Sequence, residues 1–429
     1  GDLFYTNIPS LYLLRDTDDD GRADSKEVMS TGYGIRTALR GHDMHGLVIG
    51  PDRRLYWSIG DRGFHVEPAY GEVLDSPNAG AVLRCELDGS NLEVVHHGLR
   101  NPQELAFDDD GNLFSVDNNS DGGDRARLVH IIEGGESGWQ MEYQTLEGSN
   151  RRGPWIQEGI WWTEHDAQPA WVVPPIAHIT SGPSGLTHYP GQGLPPRYQN
   201  HFFVCDFTGG AASSSVRSFA VTEVGGGFAM VDEHKFIDHV LCTDVEFGYD
   251  GRVYVADWGA GWVQNGEGRL YAISDPNWID TEAALRVAEL FRGGFERPAI
   301  ELAMLLRHRD RRVRFEAQWE LATRGASGEG LFCAYAREHG DPLPRLHGLW
   351  GLGQLGRSGK LTQKGRDTVQ SLISDDDPRV RAVACQVAGE IRDPATIPDL
   401  TARLGDQSGR VIARAIEALG KVGGTHATG

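Results

Sequence analysis

The sequence predicts a chain of two parts. The first is an all-β six-bladed propeller, truncated at its N-terminus, over residues 1–275; the second is an all-α HEAT-like solenoid over 276–429. Three observations carry this: a strand–turn–strand phrase that recurs in the first part, a switch near Asp275 to an Ala-, Leu- and Arg-rich helical pattern, and 56 glycines, a content suited to many tight turns.

The phrase reads "HGLVIGPDRRLYWSIGD" from His45, "QELAFDDDGNLFSVD" from Gln103 and "TDVEFGYDGRVYVAD" from Thr243, with a looser copy, "SGLTHYPGQGLPPRYQNHFFVCD", from Ser184. Each copy joins an apolar alternating run to a polar turn and a second run rich in Tyr, Phe and Val, which is the pattern of paired strands. The opening "GDLFYTN" reads as the second half of another copy. Strand repeats of about 40–60 residues indicate a propeller, one blade per unit. Five units are visible in whole or part, and a missing start brings the expected count to six.

Beyond Asp275 a shorter phrase repeats: Asp310 with Arg314, Asp341 with Arg345, Asp377 with Arg381, and Asp406 with Arg410. A small residue follows each Arg by three (Ala317, Gly348, Ala384, Ala413), which lets helices approach closely. Asp at a helix start with Arg one turn on predicts an N-cap and an i,i+4 pair. Spacings near 30 residues fit short HEAT-type hairpins stacked into a solenoid, a module for interaction.

A net charge of −20 argues against nucleic acid as a partner. No run of 18 apolar residues is present, so no transmembrane segment is expected. The five cysteines (Cys85, Cys205, Cys242, Cys333, Cys385) form no CxxC pair, which removes c-type haem attachment and Cys-rich zinc sites from this chain. A Cys205–Cys242 disulfide is one option.

Chemistry is expected on the face where first runs begin and second runs end. Those segments hold His42, Asp43, His45, Asp61, Arg62, Arg100, Asn101, Gln103, Asp117, Asp206, Asp257 and Trp258. His42 and His45 flank Asp43 as a metal pair, as a base with an orienting carboxylate, or as ordinary capping groups. An Asp at the end of a second run can also simply accept hydrogen bonds from loop amides. Trp258 and Trp262 read first as blade packing, second as a substrate platform.

Two oxygen-rich loops suggest calcium. In "DTDDDGRADSKE", Asp16, Asp18, Asp20, Gly21, Asp24 and Glu27 fall at positions 1, 3, 5, 6, 9 and 12 of an EF-hand loop. Its flanks are strand-like, so a calcium-fixed hairpin tip is expected rather than a sensor. "DNNSDGGD" offers Asp117, Asn118, Asp121 and Asp124 as a second metal loop.

The blocks "HDMHGLVIGPDRRLYWSIGDRG", "GLRNPQELAFDDDGNLFSVDNNSDGGDRARL", "GPSGLTHYPG" and "TDVEFGYDGRVYVADW" resemble the membrane-bound dehydrogenase family of planctomycete-type bacteria, over about residues 1–275. The HEAT-like tail fits that family, whose members often end in a c-type haem domain that this chain lacks. More distantly, the propeller is similar to soluble quinoprotein glucose dehydrogenase, which uses pyrroloquinoline quinone and calcium. The resemblance implies His42 as catalytic base with Asp43 beside it. It implies Arg100, Asn101 and Gln103, with Arg62 in place of a substrate-contacting Gln, as cofactor contacts, and calcium at the Asp117–Asp124 loop. It also implies an extracytoplasmic place, periplasmic or at the cell surface, a small-molecule or glycan substrate, and a c-type cytochrome domain or protein partner at the HEAT region. Three cations of that family's quinone site are missing here, where the chain reads "CDFTGG" and "LCTDV". The sequence therefore supports two functions: a sugar or alcohol oxidoreductase, or a calcium-stabilised glycan- or protein-binding propeller with a HEAT interaction module.

Overall fold

The computed structural model describes residues 2–36, 41–69, 71–141, 155, 157–159, 165, 170–259, 261–262, 266–279 and 281–423. The recurring phrase folds as antiparallel sheets, one per copy. The first holds β1 (Asp2–Asn7), β2 (Ser10–Arg15) and β3 (Ser25–Thr31). The second holds β4 (Met44–Ile49), β5 (Leu55–Ile59), β8 (Gly80–Cys85) and β9 (Glu93–Leu99), with the hairpin β6 (Phe64–Val66) and β7 (Leu74–Ser76) inserted and β13 (Gly135–Glu136) added in parallel outside β9. The third holds β10 (Pro102–Phe107), β11 (Leu113–Asp117), β12 (Arg127–Ile131) and β14 (Ala177–His178). The fourth holds β15 (Pro183–His188), β16 (His201–Asp206), β17 (Ser215–Val224) and β18 (Gly227–Asp238), and the fifth β19 (Cys242–Phe247), β20 (Val253–Asp257) and β21 (Arg269–Ile273). Five such sheets stand among the described residues, where the sequence led us to expect six.

Why the second runs are so apolar is now clear. Strands β5, β11 and β16 are buried along their whole length, because each face packs on a different neighbouring sheet. Alternation sends Trp57 to the core shared with the first sheet and Tyr56 to the core shared with the third. Phe202 and Phe203 divide in the same way between the third and fifth sheets. All five cysteines are free and buried, so the optional Cys205–Cys242 disulfide is not formed.

The C-terminal region is helical: α1 (Glu282–Gly293), α2 (Ala299–Leu305), α3 (Arg311–Ala322), α4 (Ala326–Ala336), α5 (Pro342–Arg357), α6 (Gln363–Leu372), α7 (Pro378–Ile391), α8 (Ile397–Ala402) and α9 (Gly409–Gly423). Asp310, Asp341 and Asp377 cap α3, α5 and α7 through the amide two residues on, as the repeat predicted. The i,i+4 partnership is corrected. Arg345 pairs with Asp375 and Arg381 with Asp406, each reaching into the following repeat, while Arg314 and Arg410 leave the solenoid for the β-domain. Close approach at Gly348 is real: a Cβ there would sit 2.8 Å from the Ala336 amide nitrogen and 2.9 Å from the Phe332 carbonyl.

The helical region covers the Asp-Gly tips of the β-domain. Arg314 Nη2 meets Asp109 at 2.7 Å, Gln318 Nε2 donates to the Pro51 carbonyl at 2.8 Å, and Arg410 Nη2 donates to the Asp110 carbonyl at 2.7 Å. Arg311, Arg312 and Arg357 donate to the Phe107, Phe247 and Asp52 carbonyls. Gly111, at φ +78°, lies under Trp350, whose ring a Cβ would meet at 2.7 Å. Among the described residues no helix is long and apolar enough to cross a membrane.

Burial here has a titration consequence. Asp108 accepts from the amides of Asp110 and Asn112 and from Asn112 Nδ2. Burial, and next the charge of Asp110, push its carboxyl up to about 7. The folded state therefore holds this proton more tightly than the unfolded chain, where Asp titrates near about 4. Its contribution is full below about pH 4 and is lost as the pH rises toward about 7. Asp108→Asn removes the charge, and an amide flip at Asn112 offers its unpartnered Oδ1 to the new N–H. The variant is expected to flatten the decline in melting temperature between pH 5 and 8; a steeper decline than wild type would refute the assignment.

Candidate functional site

On the face opposite the solenoid, first runs begin and second runs end. Each second run closes on an Asp, and three of these four carboxylates serve the backbone. Asp117 accepts from the Arg100 and Asn101 amides, Asp206 from Ser181 and Gly182, and Asp257 from Gly259. Asp61 differs. Fully buried, it takes His42 Nδ1 on Oδ1 at 2.8 Å and the indole N–H of Trp139 on Oδ2 at 3.0 Å, with Arg62 Nη1 3.3 Å from Oδ1.

A carboxylate only accepts, so the proton on that His42 nitrogen belongs to Nδ1 and the basic lone pair to Nε2. Among the described residues Nε2 has no hydrogen-bond partner. Asp61, not Asp43, is thus the orienting group. Asp43 instead gives its carbonyl to the Gly60 amide at 3.0 Å, and its Oδ1 is buried and unpartnered. His45 turns to the Gly41 carbonyl at 2.7 Å, away from His42, and burial lowers its pKa.

The Asp61 amide donates to the Arg100 carbonyl at 2.7 Å, joining the second and third sheets at this spot. Arg100 is 4 % exposed; Nη2 pairs with Asp121 at 2.7 Å, and among the described residues Nε and Nη1 have no partner. Asn101 is equally buried with Oδ1 unpartnered, and Arg62 Nε is unpartnered too. Gln103 lies apart, its amide 3.3 Å from the Gly41 carbonyl. Unmet donors and an unmet acceptor around a buried imidazole form a cradle for a polar, anionic group.

The two proposed metal loops fare differently. At the β2–β3 tip, Asp16, Asp18 and Asp24 bring carboxylate oxygens within 4.8 Å of one another. Asp24 also takes the Thr17 amide and hydroxyl, which hold its carboxyl below the ordinary range. Asp20 and Glu27 stand outside this group: Asp20 accepts from the Arg22 amide, and Glu27 belongs to β3 opposite Leu13. This tip lies at the end of its sheet remote from His42. In the second loop no cluster forms. Asp117 is held by Arg127 and two amides, Asp124 by Ser120, Asn118 by the Asn119 amide, and Asp121 by Arg100. That arrangement does not fit a calcium ion.

Asp61 is among the residues the sequence places on this face, but nothing there marks it out from the other closing Asp residues, and Trp139 was missed. Trp139 lies outside the repeat phrase altogether. Trp262 is 74 % exposed and packs edge-on against Phe207, so most of its ring faces solvent rather than a core.

The family model described as "Domain of unknown function (DUF7133)" matches residues 1–284, and that of HEAT repeats matches 329–420. Quinoprotein glucose dehydrogenase B of Acinetobacter calcoaceticus is 34 % identical over 125 residues, which cover 23 % of this chain and 26 % of that enzyme, so the match spans about a quarter of the relative. The PQQ-bound aldose sugar dehydrogenase of Streptomyces coelicolor has a TM-score of 0.40 at 18 % identity, covering 63 % of this chain and 74 % of its own. A gluconolactonase of Xanthomonas campestris, XC5397, has a TM-score of 0.35 at 14 % identity over 64 % of this chain and 72 % of its own.

Proposed function

The chain belongs to the DUF7133 family, and from that starting point we propose that its β-domain is a dehydrogenase-like propeller oxidising a sugar or other alcohol, with pyrroloquinoline quinone as hydride acceptor. The observation that carries this reading is His42, oriented by Asp61 with Nε2 unpartnered among the described residues, while the Asp61 amide bonds the carbonyl of Arg100, whose Nε and Nη1 are unpartnered there too. The local match to a quinoprotein glucose dehydrogenase supports it.

When bound, the quinone supplies a two-electron acceptor for the substrate's C–H hydride. The chain supplies the rest. His42 Nε2 takes the hydroxyl proton as the C–H bond breaks, and Asp61 stabilises the imidazolium. Arg100 and Arg62 would hold the cofactor's carboxylates, and Asn101 would orient it. At the positions where the resembled family has further cations, Leu241 is buried and Thr243 hydrogen-bonds the Ala256 carbonyl. The cradle therefore suits an anionic cofactor held more weakly than where those further cations are present. No step passes through calcium at Asp117–Asp124.

Calcium belongs instead at Asp16, Asp18 and Asp24, as a brace for the β2–β3 tip. Chelation is expected to lower the melting temperature by several degrees, as for a ligand present well above its Kd; an unchanged melting curve would leave only a solvated acidic tip. A sixth blade is part of the same reading, since it would cover exposed Leu3 and Tyr5 on β1 and Leu270 and Tyr271 on β21. So are an extracytoplasmic place and onward electron transfer to a c-type cytochrome domain outside this chain, with the HEAT repeats as a docking module.

The test is quinone titration followed by dye reduction across a panel of sugars and alcohols. Binding with turnover supports the oxidoreductase. Neither one, with sugar binding retained, supports the second reading: a glycan-binding propeller, favoured by exposed Trp262 on the same face.

A further inference from the structure

Cys205 and Cys242 take no part in the chemistry proposed above, yet both are completely buried and share one core, that between the fourth and fifth sheets. Cys205 stands near the end of β16, and Cys242 opens β19. Cys242 Sγ donates to the Ser215 carbonyl at 3.3 Å. Ser215 lies opposite Asp206, the residue next to Cys205, so the Cys242 side chain reaches across to the strand pair that holds Cys205. There the two thiols are in hydrogen-bond contact, and with the Cys242 proton given to Ser215 the Cys205 S–H is the donor. The other cysteines are placed differently. Cys85 lies in the core of the first and second sheets, and Cys333 and Cys385 in the helical core, where Cys333 accepts from the Thr368 hydroxyl. A thiol is a weak donor, so the contact between Cys205 and Cys242 contributes little while both are reduced.

We infer that Cys205 and Cys242 are a redox site: a dithiol that a small disulfide such as oxidised glutathione converts to a cystine bridging β16 and β19. The exchange takes two steps. One cysteine thiolate attacks the S–S bond of the oxidant, forming a mixed disulfide and expelling one glutathione thiolate. The second cysteine thiolate attacks the protein-side sulfur, the bridge forms, and the other glutathione thiolate leaves. The two cysteine protons end on two glutathione thiols, and the protein sulfurs are oxidised as the glutathione disulfide is reduced. Burial, and next the Cys242 contact, hold the Cys205 thiol well above its ordinary pKa, so the folded dithiol is a poor nucleophile and is closed to solvent. Exchange therefore runs before the fifth sheet docks on the fourth, and the docked sheets then shield the cystine from reductants. The bridge ties the fifth sheet to the fourth at the end of β16 that carries Asp206, and it depends on neither a quinone nor turnover.

The experiment refolds the full chain from urea with oxidised and reduced glutathione, or with dithiothreitol. The product is then denatured, its free thiols are alkylated, and the intact chain is weighed. Of the five cysteines, three should be alkylated in the glutathione arm and all five in the dithiothreitol arm, with a Cys205–Cys242 cross-linked peptide in the digest of the first. The oxidised form should melt several degrees higher than the reduced one. Cys242→Ser should lose that gain and show all of its remaining thiols alkylated in both arms. Should the chain not refold, the same thiol count on the full chain secreted into an oxidising compartment decides the matter. Five alkylated thiols in the oxidising arm, a bridge that uses Cys85, Cys333 or Cys385, or a melting gain that Cys242→Ser keeps would each overturn the inference.

Discussion

Arg314→Ala is expected to destabilise the chain by about 3–5 kcal/mol, the loss typical when one member of a buried ion pair is removed. Arg314 is buried and fully used. Nη1 donates to the His308 and Arg309 carbonyls, each at 2.9 Å, Nη2 to Asp109 at 2.7 Å, and Nε to His347 Nε2 at 3.0 Å. Burial, and then the charge of Arg314, hold His347 well below its ordinary pKa, so it is neutral and can accept on Nε2. Its Nδ1–H then donates to Gln318 Oε1 at 2.8 Å, and Gln318 donates to Pro51. The path runs from the third sheet's tip, through two helices, to the second sheet's tip. Truncation strands a carboxylate, two carbonyls and a ring nitrogen together. Urea unfolding measures the loss, and limited proteolysis should show the solenoid released first. Arg314→Lys should recover less than half, because an ammonium cannot serve four acceptors spread around a planar fork. An alanine variant as stable as wild type would mean that this network does not hold the two parts together.

Much of this architecture was legible in the sequence because it is local. The near-continuous apolar runs "LYWSI" and "HFFVC" read as buried strands, and the Asp-Gly turns mark the tips. Asp310, Asp341 and Asp377 are legible as caps for the same reason. What was not legible depends on what folding brings alongside. An Arg four residues after an Asp has a local partner on paper, yet Arg345 and Arg381 find a better one in the next repeat. There the acceptor is already fixed and partly desolvated. The EF-hand spacing of residues 16–27 is intact as a string, but the pairing of β3 with β2 commits Glu27 to a strand before it can close the loop. Asp61 and Asp117 close equivalent runs, and only the third dimension gives one an imidazole and the other two amides.

The second large effect is expected from Asp61→Asn: turnover lower by on the order of a thousandfold, with quinone affinity unchanged, by analogy with loss of the orienting carboxylate in a serine-protease triad. Size is nearly conserved, so the effect comes from proton placement. The introduced amide presents one oxygen and one NH2 where the carboxylate presents two oxygens. The Trp139 N–H is buried and needs the oxygen, which turns the NH2 toward His42 Nδ1. That nitrogen must then accept, the proton moves to Nε2, and the imidazole faces substrate with no lone pair. The opposite amide rotamer would set two N–H groups against each other, at about 1–3 kcal/mol for the unmet buried donor. Trp139 therefore enforces the wrong tautomer in this variant, whereas in wild type the acceptor-only carboxylate fixes the right one whichever oxygen faces His42. The double variant Asp61→Asn, Trp139→Phe should for that reason lose less activity than the product of the single losses, because the amide is then free to turn its oxygen to His42. Strict additivity in turnover and in the His42 nitrogen shifts would show that the two side chains act on the imidazole independently.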